Sequence, residues 1–378
     1  MKKNIVLSIS LIIITLVLSL FMKWDAIGVK KELYFSADMT LKELAQKNDI
    51  PVKEVLHILS HEDPKAWDLS KDVSIKDMEI DAAKIQAAIE HIKEEVKPTL
   101  EILKYILWAI WISFVVILVL SRKKVKKIRI PLLLLSAVTF GLLLGATPNP
   151  MESVVKLFKM LNKMEGGPKV LITSFVLFTL FSLLGSKLVC SWGCQLGALQ
   201  ESIFNIPVLK KKRKFQVPFA LSIALRVVLF VLFFFLLFGI ALGIKNFVVY
   251  HHINYFKIYN WDWATFALYS LPVLVLASLL IYRPFCQFIC PFGLYAWLLE
   301  NVAVNRIKII EDRCIECMAC VRNCPTQAMK GIYEKKRKYF LPDCWSCGVC
   351  TEVCPTNAIK YGYNKELPAL KKHKTPAT

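Results

Sequence analysis

The sequence is short of charged residues and lacks several informative motifs. Charged residues make up 21% of the 378 positions and hydrophobic residues 56%, which is too apolar for an ordinary soluble chain and typical of a membrane protein. No C-x-x-C-H motif is present, which excludes covalently bound c-type haem. No small-x-small cleavage site follows the apolar run at 5–22, so we expect an uncleaved anchor there. The lack of an output domain counts against a redox sensor.

The net charge of +20 is distributed unevenly. Residues 23–101 carry a net charge of −5, from 17 acidic and 12 basic residues. Much of the positive excess stands beside apolar segments, in the runs 122–129 and 210–214. Such runs are topology signals with anionic lipid as their natural partner. We therefore predict membrane lipid as a partner and no nucleic acid.

Two similar cysteine units occupy residues 314–355. Each unit has three cysteines at spacing three, a fourth cysteine after three further residues, and a proline directly behind it. In this ferredoxin run the fourth cysteine of each unit ligates the cluster of the other unit. The ligands then divide into a first cysteine set, Cys314, Cys317, Cys320 and Cys354, and a second cysteine set, Cys344, Cys347, Cys350 and Cys324.

This pattern predicts two [4Fe–4S] clusters, because each cube needs a thiolate on each of its four irons. Zinc sites of four cysteines usually come as two separated C-x-x-C pairs, and disulfides require an oxidising compartment. The two units also repeat outside the cysteines with an offset of 30 residues, as Pro325-Thr326 and Pro355-Thr356 show. We expect a small, pseudo-twofold α+β domain that the clusters help to fold.

Six apolar segments have the length of a bilayer span, at 5–22, 102–120, 129–147, 170–187, 218–244 and 264–282. The sequence therefore predicts an all-α multi-pass membrane protein with six transmembrane helices, joined to a small α+β bacterial-type 2[4Fe–4S] ferredoxin domain. The positive-inside rule places both termini in the cytosol, at the plasma (bacterial inner) membrane. The predicted domains are a transmembrane anchor (1–22), an extracytoplasmic helical module (23–101), a five-helix membrane core (102–300), the ferredoxin domain (301–363) and a basic tail (364–378).

The other four cysteines form two C-x-x-x-C pairs, Cys190 with Cys194 and Cys286 with Cys290, which we call the core quartet. Each pair follows a predicted span that ends at the cytosolic face. At spacing four, two thiols share one face of a helical turn, which suits joint metal ligation or a reversible dithiol. Three interpretations stay open: a third metal centre, a catalytic thiol relay, and buried structural cysteine.

Arg226 lies inside the predicted span at 218–244, about 12 Å deep at the rise of an α-helix. An ionisable residue inside a membrane segment is a candidate functional residue, and snorkelling to the headgroups is the alternative. A functional Arg226 would bind either a quinone oxygen or an acidic side chain. Quinone is therefore a further candidate cofactor.

The combination of motifs resembles a known family. Two C-x-x-x-C motifs, followed by Leu196-Gly197 and Gly293-Leu294, and a C-terminal double ferredoxin resemble the NapH/NosR/CcoG-type membrane polyferredoxins over residues 102–360. This chain departs from the family pattern at Gln195, where proline is usual. It also has no counterpart of the periplasmic flavin-binding domain of the NosR branch, which favours the NapH-like and CcoG-like members.

The resemblance implies a membrane-bound iron–sulfur electron-transfer protein. It would relay electrons between a quinone or a cytosolic donor and a partner reductase, as an oxidoreductase subunit without its own substrate pocket. The expected protein partners are a cytosolic donor or an extracytoplasmic reductase. The alternative is a metal-reducing or cofactor-assembly factor of the CcoG type.

Overall fold

The computed structural model describes most of the chain between residues 34 and 363. The predicted anchor (1–22) and basic tail (364–378) lie outside the described residues. The described residues are 34–48, 50, 52–62, 66, 72, 74–78, 81–94, 98–120, 125–145, 148–162, 164, 168–206, 215–240, 245–260, 269–300, 302–334 and 343–363.

A small helical unit precedes the central core. Its first helix begins at a capping box, in which the Thr40 hydroxyl accepts from the Glu43 backbone N–H (3.2 Å) and the Glu43 carboxylate accepts from the Thr40 N–H (3.1 Å). This exchange satisfies two N–H groups that a helix start leaves unpaired. The unit has its own apolar cluster, which includes Leu41, Leu56 and Ile85. Its elements are α1 (Leu41–Lys47), α2 (Val52–Glu62), a 3-10 turn (Ile75–Asp77) and α3 (Ala82–Glu94).

The central part of the chain is helical and contains the main hydrophobic core. Its elements are α4 (Pro98–Leu120), α5 (Val125–Ser136) with a π-helical continuation (Ala137–Leu143), α6 (Pro150–Leu161), α7 (Pro168–Leu184), a π-helical turn (Val189–Gly193), α8 (Gln195–Phe204), α9 (Phe219–Phe238), α10 (Val249–His252), a 3-10 helix (Tyr255–Asn260), α11 (Leu271–Leu280), α12 (Pro284–Phe288) and α13 (Pro291–Leu299).

The prediction of a six-span fold is wrong. In the described part of the chain one helix, α9, is long and apolar enough to cross a membrane. In the described residues of four other predicted spans the apolar helices are shorter, and the predicted span at 5–22 falls outside the described residues. The shorter helices are Leu103–Leu118, Ile128–Leu143, Leu171–Leu184 and Leu271–Leu280.

In two of these segments the backbone changes course inside apolar sequence, which hydropathy does not detect. The helix of α5 converts to a π-helix at Ala137, and the chain turns at Gly145, whose φ is +67°. Helix α7 ends at Leu184, and Ser186 and Lys187 then adopt positive φ. A hydrocarbon core about 30 Å thick needs about 20 helical residues, so these helices are too short on their own.

Large apolar side chains nevertheless cover the outside of the helical core. Only 28% of the apolar window of α9 is buried, whereas the core helix of a soluble protein is mostly buried. Helices α4, α5, α7 and α11 also present exposed apolar residues. Examples from the five helices are Ile110, Phe114, Leu135, Leu142, Ile172, Val228, Phe235, Val273 and Leu276.

The C-terminal domain combines a two-stranded sheet with short helices. Strands β1 and β2 pair antiparallel, with Ile307 opposite Tyr361. Both of these side chains are buried in the main core. The elements are β1 (Asn305–Ile309), a 3-10 turn (Glu311–Arg313), α14 (Ala319–Asn323), α15 (Ala328–Tyr333), α16 (Val349–Val353) and β2 (Ile359–Tyr363).

This domain is packed directly onto the end of α7. The Val304 backbone N–H donates to the Leu183 carbonyl (2.7 Å), and the Asn305 side-chain amide donates to the Leu184 carbonyl (2.6 Å). Trp345 is only 2% exposed and belongs to the same hydrophobic cluster as the helices. The helical core and the C-terminal domain therefore share one core.

Candidate functional site

The first cysteine set lines a cavity near the surface of the C-terminal domain. Cys314 and Cys317 lie in the loop that leads into α14, Cys320 lies in α14 itself, and Cys354 follows α16. Cys317 is exposed, and the neighbouring Ile315 is 62% exposed at the rim. The structure thus brings together the four thiols that the spacing rule assigned to one cluster.

The second cysteine set lines a separate cavity. Here Cys324 from the first unit joins the three thiols of the second unit. Cys324 and Cys350 are buried, and Ile307 and Trp345 also line the cavity. This set therefore lies toward the helical core, whereas the first set lies toward the surface.

The two loops have matching backbones at positions 30 residues apart. In each loop, residues with positive φ turn the chain around the cavity, and the last of them before the helix serves as its N-cap. Chain turns that alternate between helical and left-handed residues direct backbone N–H groups into a concavity that suits an anion. The matching pairs are Glu316 and Ser346, Met318 and Gly348, and Gln327 and Asn357.

Electrostatics differ between the two sets. Burial raises the pKa of Cys347 to about 11 and that of Cys350 well above its ordinary value. Burial acts in the same direction on Cys354, but hydrogen bonds from the Thr356 hydroxyl and the Ala358 N–H (3.2 Å to Sγ) hold its pKa below the ordinary value. Cluster ligation requires thiolates, so cluster binding would release more protons at the second set.

The four cysteines of the core quartet are buried in the helical core. Cys190 lies in the π-helical turn and Cys194 caps α8, whereas Cys286 lies in α12 and Cys290 caps α13. Burial, together with the neighbouring Cys286 thiol, raises the pKa of Cys190 to about 12. The other three thiols are likewise coupled to members of the quartet. The structure therefore brings both C-x-x-x-C pairs to one place.

Two glycines allow this close approach. A Cβ at Gly197 would lie 2.5 Å from the Arg283 guanidinium, and a Cβ at Gly293 would lie 2.9 Å from the Cys286 carbonyl. Each glycine stands three residues after the second cysteine of its pair. The backbone N–H of Gly197 also donates to the Cys194 sulfur (3.4 Å). The glycines of the two motifs thus have a steric role beside the thiols.

Arg226 is fully buried in α9 and has an acidic partner. Its Nη2 donates to Asp343 Oδ2 (2.9 Å), and its Nη1 donates to the Gly293 carbonyl (2.9 Å). Lys187 forms a second ion pair with Asp343, which immediately precedes Cys344. Of the two partners that the sequence analysis considered for Arg226, the structure shows the acidic side chain. Arg226 therefore ties the loop of the second cysteine set to α9 and α13.

Glu201 is the centre of another buried polar group. It accepts from Arg129 Nε (2.5 Å), Arg283 Nε (2.8 Å) and the Tyr282 hydroxyl (2.6 Å). Burial raises the pKa of Glu201, but Arg129 and Arg283 outweigh this effect and hold that pKa at about 2. Arg283 also donates to the Cys190 carbonyl, so this carboxylate orients a cation beside the core quartet.

Arg129 and Trp192 join the core quartet to the second cysteine set. Arg129 donates to the carbonyls of Ser191 (3.4 Å) and Cys347 (3.3 Å), and its guanidinium lies 4.0 Å from the centre of the Trp192 ring. The Trp192 indole N–H donates to the Ser346 carbonyl (3.2 Å). Residues beside Cys190 are therefore one hydrogen bond away from the loop that carries Cys347.

The thiol arrangement suits clusters better than a single ion. In the described part of the chain, no three cysteine, histidine, aspartate or glutamate side chains are placed to share one metal ion. A tetrahedral zinc site needs its sulfurs about 2.3 Å from the ion, whereas a cube spreads four thiolates over four irons. The two cavities, each lined by four thiols, therefore fit [4Fe–4S] groups.

Sequence reasoning missed the buried ion pairs. Glu201, Arg283 and Lys187 flank apolar runs, which was the available signal, but their partners are far away in sequence. Asp343 lies 117 residues from Arg226, and no local pattern predicts that pairing.

Family profiles support iron–sulfur binding at both places. A profile described as a 4Fe–4S dicluster domain matches residues 307–361, which include both ferredoxin cysteine sets. A profile described as a 4Fe–4S binding domain matches residues 169–216 and 263–309, and each segment contains one pair of the core quartet. The chain therefore has 4Fe–4S ferredoxin-type domains, and the prediction of iron–sulfur clusters is confirmed at this level.

The chain is also similar to two curated proteins. One is YccM of Escherichia coli, a protein named for a proposed role in electron transport, at 28% identity over 160 residues, or 40% of this chain and 45% of that protein. The other is an uncharacterised protein of Methanocaldococcus jannaschii, at 31% identity over 64 residues, or 16% of this chain and 26% of that protein. The matches thus span less than half the length of either relative. No solved structure matches the chain.

Proposed function

We propose that this protein is a membrane-associated iron–sulfur electron-transfer protein of the NapH/CcoG type. It would pass electrons between an external redox partner and a centre inside its helical core. The observation that carries the proposal is the order of the three groups of cysteines. The first cysteine set opens to the surface, the second is buried at the junction, and the core quartet lies deeper, joined to the second by hydrogen bonds.

The residues at the junction support such a relay. When bound, iron–sulfur clusters supply one-electron transfer. Arg129 and Trp192 hold the Cys347 loop against the turn that carries Cys190. Asp343 fixes the same loop through two buried cations, Arg226 and Lys187. A rigid, dry junction of this kind keeps the cysteine groups at a fixed separation.

For the core quartet, we favour a third iron–sulfur centre over a thiol relay. The 4Fe–4S binding profile covers both pairs. Four buried basic residues (Arg129, Lys187, Arg226 and Arg283) accompany three buried carboxylates (Glu201, Glu300 and Asp343) in this region. Unpaired buried charge is costly, and thiolates that ligate a metal supply negative charge where neutral thiols do not.

Iron and sulfide analysis of anaerobically purified protein tests the proposal. Two cubes account for about eight irons per chain, and a third cube would give about twelve. Eight irons would leave the core quartet without a cube and favour the thiol relay. Material without any reducible [4Fe–4S] signal in paramagnetic resonance would remove the electron-transfer function itself.

Membrane association rests on the apolar exterior of the core. Exposed apolar surface of this extent is rare on soluble monomers, and α9 contributes several of these residues. We place the C-terminal domain on the cytosolic side, where the basic runs beside the apolar segments would meet anionic lipid. Flotation with liposomes tests this, and protein that stays soluble and monomeric without lipid or detergent would contradict it. A quinone donor and a partner reductase remain predictions from the sequence.

A further inference from the structure

Three buried polar atoms around the core quartet have no hydrogen-bond partner within the described part of the chain. They are the hydroxyls of Tyr250 and Tyr259 and the side-chain oxygen of Gln195. Tyr250 is 0% exposed, Tyr259 5% and Gln195 0%. More than about 90% of buried polar groups in proteins are paired, and an unsatisfied one costs about 1–3 kcal/mol. Two of these atoms, the phenol hydroxyls, are donors, and they point to an acceptor that a bound group would supply.

Tyr259 approaches the quartet from the side of Cys194. Its ring packs on the π-helical segment of α5, where a Cβ at Gly141 would lie 2.5 Å from the ring. The adjacent Phe140 carbonyl accepts from the amide of Gln195, the residue after Cys194 (3.1 Å). Burial and the Cys194 thiol both raise the pKa of Tyr259, so the phenol stays protonated and able to donate.

Tyr250 approaches from the side of Cys290. Its ring meets the edge of Phe233 on α9, with 5.0 Å between ring centres. The same helix holds the second pair in place, because the Ser222 hydroxyl donates to the Gln287 carbonyl (2.9 Å). Burial and the Cys290 thiol raise the pKa of Tyr250. The second cysteine of one pair thus raises the pKa of each phenol, whereas Lys187 lowers the pKa of the first cysteine of each pair.

The chemistry of these groups defines the ligand. A neutral phenol is a hydrogen-bond donor, and a metal centre held by the core quartet would present sulfur atoms as acceptors at this site. Hydrogen bonds to cluster sulfurs help to set the reduction potential, because reduction adds negative charge that a donor stabilises.

We propose that Tyr250 and Tyr259 donate hydrogen bonds to sulfur atoms of the centre held by the core quartet and thereby raise its reduction potential. This inference rests on the third iron–sulfur centre proposed above. It makes the two tyrosines tuning residues of that centre.

The test is a redox titration, followed by paramagnetic resonance, of the purified full chain with Tyr250→Phe or Tyr259→Phe. We expect the midpoint potential of the third centre to be lower by about 59 mV in each variant, which corresponds to a tenfold change in the one-electron equilibrium constant. The signals of the two ferredoxin clusters should not move. The matched control is Tyr255→Phe, because the Tyr255 ring packs on Phe285 beside the quartet while its hydroxyl already has the Ser270 hydroxyl as partner (2.7 Å).

Separate outcomes distinguish the two levels of the proposal. Wild-type protein with about eight irons overturns the third centre and this inference together. About twelve irons, with potentials in both variants equal to that of Tyr255→Phe, overturns only the tyrosine role. If a variant loses iron, its potential is not informative, and the tyrosine role is tested on wild-type protein produced in deuterated water. Electron–nuclear double resonance of its reduced third centre should detect exchangeable deuterons close to the cluster, and their absence overturns the inference.

Discussion

The two ferredoxin cysteine sets share one local design but have different surroundings. Their loops match in backbone conformation at positions 30 residues apart. Yet Trp345 is 2% exposed, and its counterpart Ile315 is 62% exposed. Asp343 is buried between two cations, and its counterpart Arg313 is exposed. The repeated loop thus provides the cluster site, and the residues around it decide which copy docks on the core and which stays open to a partner.

Replacing one cysteine ligand in each set should show the largest difference between the two sets, in the thermal stability of the helical part. We expect both Cys350→Ala and Cys320→Ala to lose about four irons per chain. Cys350 is buried in the core that the two parts of the protein share, so its loss should also destabilise the helical part, because cluster binding contributes folding energy. Cys320→Ala should leave the helical part intact. Iron analysis and thermal unfolding measure this, and equal losses of thermal stability would remove the distinction.

Asp343→Asn tests the docking ion pairs. The substitution leaves the guanidinium of Arg226 and the amine of Lys187 buried without their anion, so we expect a loss of about 3–5 kcal/mol in the free energy of unfolding. The matched control is Arg313→Gln at the equivalent exposed position, where the change should stay within about 0.5 kcal/mol. Chemical denaturation of both variants in the same detergent gives the comparison. Similar stabilities would show that Asp343 does not hold the domain on the core.

Trp345→Phe tests the packing at the same junction. The smaller ring leaves a void and weakens contacts with Lys187, which lies 4.8 Å from the indole centre, and with Arg283, which lies at 5.4 Å. We expect a loss of about 2 kcal/mol in the free energy of unfolding. Ile315→Val is the control at the exposed counterpart and should cost less than about 0.5 kcal/mol. A smaller effect at Trp345 than at Ile315 would contradict the assignment of the docked face.

The cysteine spacing was informative because a ferredoxin loop is a local structure. Three thiols within seven residues, followed by Cys-Pro, restrict the chain enough to predict which residues surround each cavity. The fourth ligand of each set was assigned by the ferredoxin rule that the last cysteine of each unit ligates the cluster of the other unit. The residues that line the two cavities follow this rule at Cys324 and Cys354.

The number of membrane spans and the docking contacts could not be predicted in this way. A hydropathy average depends on the composition of a segment and not on the path of its backbone. It therefore could not predict the π-helix after Ser136 or the turn with positive φ at Ser186. The Arg226–Asp343 pair joins residues 117 positions apart, and only the assembled fold brings them together. Depth in an apolar segment was enough to single out Arg226, but it did not reveal the partner.

The smallest effect should come from a contact that the two sets have in common. The hydroxyls of Thr326 and Thr356 each lie 3.7 Å from the sulfur of the cysteine two residues earlier. A thiolate sulfur accepts from such a hydroxyl, so replacement of either threonine by valine, which keeps the shape, should lower the reduction potential of its cluster by less than a tenfold change in equilibrium. Because water screens the first set more, Thr326→Val should have the larger effect. Redox titration of both variants measures the two shifts. A larger shift for Thr356→Val would contradict this expectation. It would mean that solvent exposure, by which the two sets differ, does not control how strongly a hydrogen bond changes the reduction potential of a cluster.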